Sequence, residues 1–172
     1  MKYFMTLLIC FSFVVAFAQS DPDKKLQEMN VVLPEMSKPI ANYVKYVKAG
    51  NLVFLSGHGP INDKGELVTG KLGKDVTIEQ GYAAARLTAL GLLATLKDAT
   101  GGDLGKVKRI VKILGLVNCT AEFADQPKVI NGCSDLLVAV FGEKGKHARS
   151  AVGTNALPDN ITVEIEMVVE LE

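Results

Sequence analysis

The sequence predicts a two-layer α+β sandwich, a mixed sheet with two helices on one face. Three observations carry this. Residues 161–172 alternate: Ile161, Val163, Ile165, Met167, Val169 and Leu171 fall on one face, with Glu164, Glu166, Glu170 and Glu172 on the other, the period of a strand. After Thr77, Ala84, Leu87, Leu90 and Ala94 recur at helical spacing, as do Ala85, Leu92, Leu93 and Leu96. The whole order reads β-β-(β)-α-β-α-β-β, and two helices in that order must cover one face of the sheet.

The elements follow in turn. Met1-Lys2-Tyr3 is a short basic start, Phe4 to Phe17 is almost wholly apolar, and Ala16-Phe17-Ala18 is a small-x-small cleavage site. This predicts a signal peptide over 1–18, export to the periplasm or medium, and cleavage after Ala18. The run is shorter than the roughly 20 residues of a membrane span, so no membrane association is expected after cleavage. Residues 19–40 are polar with Pro22, Pro34 and Pro39, which predicts an extended N-terminal arm before a single domain over 41–172. Tyr43 to Lys48 and Asn51 to Ser56 form a hairpin turned at Gly50-Asn51. Asn62-Asp63-Lys64-Gly65 is a second turn, with a short strand expected at Glu66 to Thr69. Thr77 and Gln80 have the spacing of a capping box, and Gly101-Gly102 ends that helix. Lys106 to Cys119 reads as a long strand. A second helix starts near Asp125, with Pro127 in its first turn, and ends near Phe141-Gly142; Arg149 to Thr154 is a strand.

Composition narrows the function. Nineteen Lys+Arg balance nineteen Asp+Glu in 172 residues. That gives no basic excess for nucleic acid, while 48% hydrophobic residues exclude a disordered chain. Beyond the leader two cysteines remain, Cys119 and Cys133, which read as buried free thiols. No metal-ligand spacing, P-loop or G-x-G-x-x-G motif occurs. One sheet face keeps apolar residues among its Lys and Glu, which invites an oligomer.

Four stretches resemble one known family. Asn42-Tyr43-Val44 resembles its G-P-Y, and Ser56-Gly57-His58-Gly59-Pro60 its S-G-Q-x-P. Ala148-Arg149-Ser150-Ala151-Val152 followed by Leu157-Pro158 resembles its P-A-R-S … L-P, and Val163-Glu164-Ile165-Glu166 its closing V-E-I-E. On these motifs the chain is similar to the YjgF/RidA (Rid, L-PSP endoribonuclease-like) family over residues 40–172. Gly81 to Arg86, Val129 to Leu136 and His147 to Gly153 resemble a longer branch of it. The resemblance implies a chorismate-mutase-like fold, a homotrimer with sites at subunit interfaces, no cofactor and no metal. It implies hydrolysis of reactive enamines and imines, such as 2-aminoacrylate, to 2-keto acids and ammonia.

It also implies roles. Arg149 would bind the substrate carboxylate, for which a planar guanidinium is the best partner. Glu164 would position the water, with Glu166 two residues along on the same strand face. Tyr43, Ser56, Gly57, His58, Ser150 and Asn131 (or Ser134, one turn away) would bind substrate. The chain departs from the pattern at Ala151, where the family often has Cys, at Gly153, where it has an acidic or polar residue, and at His58, expected near the cleft mouth in place of Gln. Two other functions compete: a non-catalytic trimer that binds small carboxylates, and an endoribonuclease. Neutral charge and the lack of a His pair or basic stripe argue against the second.

Overall fold

A computed structural model describes residues 21–36 and 42–172. The eight main elements are α1 (Pro22–Glu28), β1 (Tyr46–Ala49), β2 (Leu52–His58), α2 (Ile78–Ala99), β3 (Val107–Asn118), α3 (Gln126–Phe141), β4 (Ala148–Thr154) and β5 (Val163–Leu171). The strands form one sheet in the order β1-β2-β5-β3-β4. All neighbours are antiparallel except β3 and β4, which are parallel and joined through α3. The alternation in β5 makes it the centre of the sheet: Val163, Ile165, Met167 and Val169 are buried, and Glu164, Glu166, Val168 and Glu170 face the other way.

The helices follow from their sequences. Thr77 Oγ1 accepts from Gln80 N, and Gln80 Oε1 accepts from Thr77 N, so the capping box closes the start of α2. Its other end turns through Gly101 and Gly102, both at positive φ. At Gly132 a Cβ would run into the Tyr82 carbonyl, so glycine there lets α2 and α3 touch backbone to backbone. The core between helices and sheet holds Leu92, Leu93, Leu96, Ile110, Ile113, Ile130, Leu137, Ile165 and Met167 among others. Cys119 and Cys133 are both buried and free, and burial pushes the Cys133 thiol up to about 12.

Three expectations need correction. Part of the supposed extended arm is a helix. Asp21 caps it by accepting from Asp23 N, Pro22 sits in the first turn, and Leu26 is buried in the core. The short strand at Glu66 to Thr69 is reduced to isolated bridges, Ile61 with Leu67 and Thr69 with Ile161. The long strand, whose Lys106, Lys108 and Lys112 read from sequence as one face at period two, does not keep that period, because register shifts at Val107/Arg109 and Ile110/Lys112 interrupt its pairing with β5. The leader reading and cleavage after Ala18 lie outside the described residues. Among the described residues no helix is long and apolar enough to cross a membrane.

Candidate functional site

The pairing register decides which predicted residues meet. Arg149 pairs with Ile113, which is fully buried toward the helices. Glu164 pairs with Leu116, three residues further along β3. An odd separation on an uninterrupted stretch of strand means opposite faces. Arg149 therefore points to the helix side and Glu164 to the open side. Within one chain the two do not meet.

On the helix side, β4 and α3 hold the Arg149 guanidinium between them. Arg149 Nη1 donates to Asn131 Oδ1 at 2.8 Å and to Ser134 Oγ at 3.0 Å. The two helix positions left open by the sequence thus both reach the guanidinium, since they are one turn apart on the same face. Both N–H groups of Nη1 are used. Among the described residues, Nε and Nη2 have no partner, which leaves the paired donor edge suited to a carboxylate. Ala151 and Gly153 continue this face of β4. A Cβ at Gly153 would meet Cys119 Sγ at 2.6 Å and Gln126 Nε2 at 2.9 Å, so that position has no room for the family's polar side chain.

On the open side, β2 and β5 build the other half. A Cβ on Gly57 would run into the Glu164 carboxylate, so the missing side chain is what lets Glu164 lie over the β2 backbone. Burial raises the Glu164 carboxyl above its ordinary range, and Glu166 on the same face adds to that. A half-buried carboxylate with a raised pKa can take a proton from a nearby water. Ser150 also faces this side, where Lys112 Nζ donates to its Oγ at 2.9 Å. Ser150 is thus separated from its neighbour Arg149 by the sheet.

Tyr43, Gly57 and His58 surround a cavity of about 260 Å³ between the start of β1, the end of β2 and α2. Lys45, Ile61 and Leu67 line it too. Tyr43 lies ahead of β1 and is 45% exposed. The Ser56 hydroxyl donates to Val44 O at 2.7 Å. His58 is not at the mouth as expected. It is 8% exposed, with Nδ1 2.7 Å from Ser56 O and Nε2 2.8 Å from Thr95 Oγ1, and burial lowers its pKa. It forms a wall. Lys45 was not anticipated; its partial burial lowers its pKa.

The chain is thus an α+β protein, a five-stranded mixed sheet under its helices, with an Arg anchored beside α3 and a carboxylate over a glycine of β2. The chain belongs to the family described as YjgF/chorismate mutase-like, putative endoribonuclease, which matches residues 23–171. It is 45% identical over 147 residues to Protein TCP17 of Trypanosoma cruzi, covering 85% of this chain and 91% of that protein. It is 29% identical over 140 residues to a 2-iminobutanoate/2-iminopropanoate deaminase of Dermatophagoides farinae, covering 81% and 93%. Among solved structures, one of a putative endoribonuclease from Shewanella oneidensis superposes with a TM-score of 0.84 at 35% identity, covering 88% of this chain and all of the other. The α+β, chorismate-mutase-like fold expected from the sequence is thus the one found.

Proposed function

We propose that the protein hydrolyses small 2-imino acids to 2-keto acids and ammonia, at sites formed between subunits of a homotrimer. The carrying observation is the Arg149 guanidinium, fastened to α3 through Nη1 and presenting its Nε–H and Nη2–H edge. A 2-imino acid places a carboxylate next to its electrophilic carbon, so a bidentate grip there orients C2. Glu164 takes a proton from water as the oxygen adds to C2 and passes it to the imine nitrogen; the proton of the new C2 hydroxyl then follows by the same route, and the C–N bond breaks as the carbonyl forms, releasing ammonia. Because Arg149 and Glu164 point to opposite faces of one sheet, the reaction requires each from a different subunit. The likeness to the Dermatophagoides farinae deaminase supports the choice of substrate class.

The test generates 2-aminoacrylate and 2-iminobutanoate in situ and follows their decay with wild-type protein, Arg149→Ala and Arg149→Lys. Losing a bidentate, charge-assisted grip is expected to lower kcat/KM about a hundredfold or more in Arg149→Ala. Arg149→Lys keeps the charge without the fork and should recover little. Decay that Arg149→Ala still accelerates fully would refute the role. Binding of 2-oxobutanoate without any turnover would instead make the protein a carboxylate binder.

The compartment belongs to the same proposal. Residues 1–18 direct export, and the mature chain starts at Gln19. Mass spectrometry of protein recovered from the periplasm or medium should find that N-terminus; an intact Met1 in a chain retained in the cytoplasm would refute export.

A further inference from the structure

Ser134, which holds Arg149, is itself held. His147 Nε2 lies 3.1 Å from Ser134 Oγ, and His147 Nδ1 lies 2.7 Å from Gly145 O. A carbonyl only accepts, so Nδ1 carries the ring proton, and the neutral ring offers a lone pair at Nε2. Ser134 gives its one proton to that lone pair. Its oxygen is then free to accept from Arg149 Nη1. A helix hydroxyl without such an outside acceptor turns back onto its own helix, as Thr88 does in donating to Ala84 O at 3.0 Å.

We infer that His147 is a positioning residue for Arg149, acting through Ser134: the ring orients the hydroxyl, and the hydroxyl holds the guanidinium so that its free edge faces outward. This rests on reading Arg149 as the carboxylate anchor. The chain's other histidine shows what distinguishes a positioning ring from a structural one. His58 makes the same two contacts, to a carbonyl two residues back and to a helix hydroxyl, but among the described residues the side chain of its partner Thr95 makes no hydrogen bond to a predicted site residue beyond His58 itself.

The surroundings of His147 favour its neutral form. Burial lowers its pKa, and the Arg149 charge on β4 lowers it further, against the Gly145 hydrogen bond. On α3, Cys133 is a buried thiol and Asp135 accepts from Tyr82 OH. Of the neighbours in sequence, Lys146 pairs with Glu143 and Lys144 with Glu172. When the ring takes a proton, Nε2 becomes a donor aimed at the oxygen that Arg149 already uses, and a second positive charge stands beside the guanidinium. Arg149 then loosens from α3.

The experiment uses the whole mature protein and two readouts. NMR follows the His147 ring and the Arg149 Nε–H across a titration between about pH 8 and 5, with signals assigned from His147→Gln and Arg149→Lys. The Arg149 signal should move with the His147 midpoint, and Ser134→Ala should abolish that movement while His147 still titrates. Calorimetry follows binding of 2-oxobutanoate. Ser134→Ala and His147→Phe should weaken it about fivefold at neutral pH, the size of one ordinary hydrogen bond. His147→Gln, whose amide oxygen can accept the Ser134 proton, should restore neutral affinity and remove the weakening that wild type shows toward acid pH. An Arg149 signal that ignores His147, or one that still follows it in Ser134→Ala, overturns the inference. If the coupling is seen but no 2-oxobutanoate binds, the positioning stands and the carboxylate-anchor reading falls.

Discussion

At the scale of the residue, the same imidazole geometry serves two purposes, and pH separates them. His58 is buried with both nitrogens engaged, and burial holds its pKa below the ordinary 6.5. A base whose folded pKa is depressed binds its proton more readily unfolded, so its share of stability is full above about 6.5 and falls as pH drops toward the folded value. His58→Gln should therefore cost about 1 kcal/mol at pH 7 through lost hydrogen bonding. It should also flatten the decline in stability between about pH 7 and 5, leaving the part due to His147, whose pKa is lowered too. Urea midpoints at the two pH values measure this; a decline as steep in the variant as in wild type would remove His58 from the acid response. The motif around Arg149 made that residue legible from sequence, and the resemblance over α3 offered Asn131 or Ser134. That both reach Nη1 depends on where α3 lies over β4. His147 has a signal in hindsight: it precedes Arg149 by two, which on a strand is the same face.

At the scale of the element, α1 shows what composition conceals. Three prolines in a polar stretch read as extended chain, yet Asp21-Pro22-Asp23 is also a cap, a first-turn proline and a first-turn acid. The helix persists because it docks. Leu26 enters the core, and the Asp23 carboxylate accepts from Lys97 Nζ at 2.8 Å and from Leu104 N at 2.9 Å. Tertiary partners of this kind cannot be read from a seven-residue segment. Asp23→Ala should lower stability by about 1–2 kcal/mol, because it leaves the Leu104 N–H without its acceptor. Lys97→Ala should cost less, since that ammonium is 43% exposed and the backbone bond survives. Equal losses in urea unfolding would put the weight on the ion pair instead. The strongly periodic elements, α2 and β5, were legible because their partners lie along one face. The interruptions of β3 were not, since a register shift is settled by the neighbouring strand.

At the scale of the whole molecule, the separation of Arg149 from Glu164 and the composition of the open sheet face point the same way. Across that face run Val47, Phe54, Val168, Lys112 and Ala148 in one row, and Glu164, Leu116 and Val152 in another. Val47, Phe54 and Val152 are between 43% and 56% exposed, more apolar surface than a single strand pair usually leaves to water. The homotrimer proposed above would cover it and would bring the Arg149 of one copy toward the Glu164 of another. Val152→Glu tests both consequences together. Val152 is an exposed side chain on an edge strand, so an acid there costs the protomer's own fold little. In an interface it places a charge beside Leu116 and Glu164, where it must be buried or the contact given up. Sedimentation should show wild type as a trimer and the variant as a monomer with unchanged circular dichroism. Deaminase activity should fall with the loss of trimer, although Arg149 and Glu164 are untouched. A monomeric variant with full activity would require one chain to complete the site alone, and the register of β3 gives it no means to do so: Arg149 and Glu164 pair with β3 residues three apart, so they lie on opposite faces of the sheet.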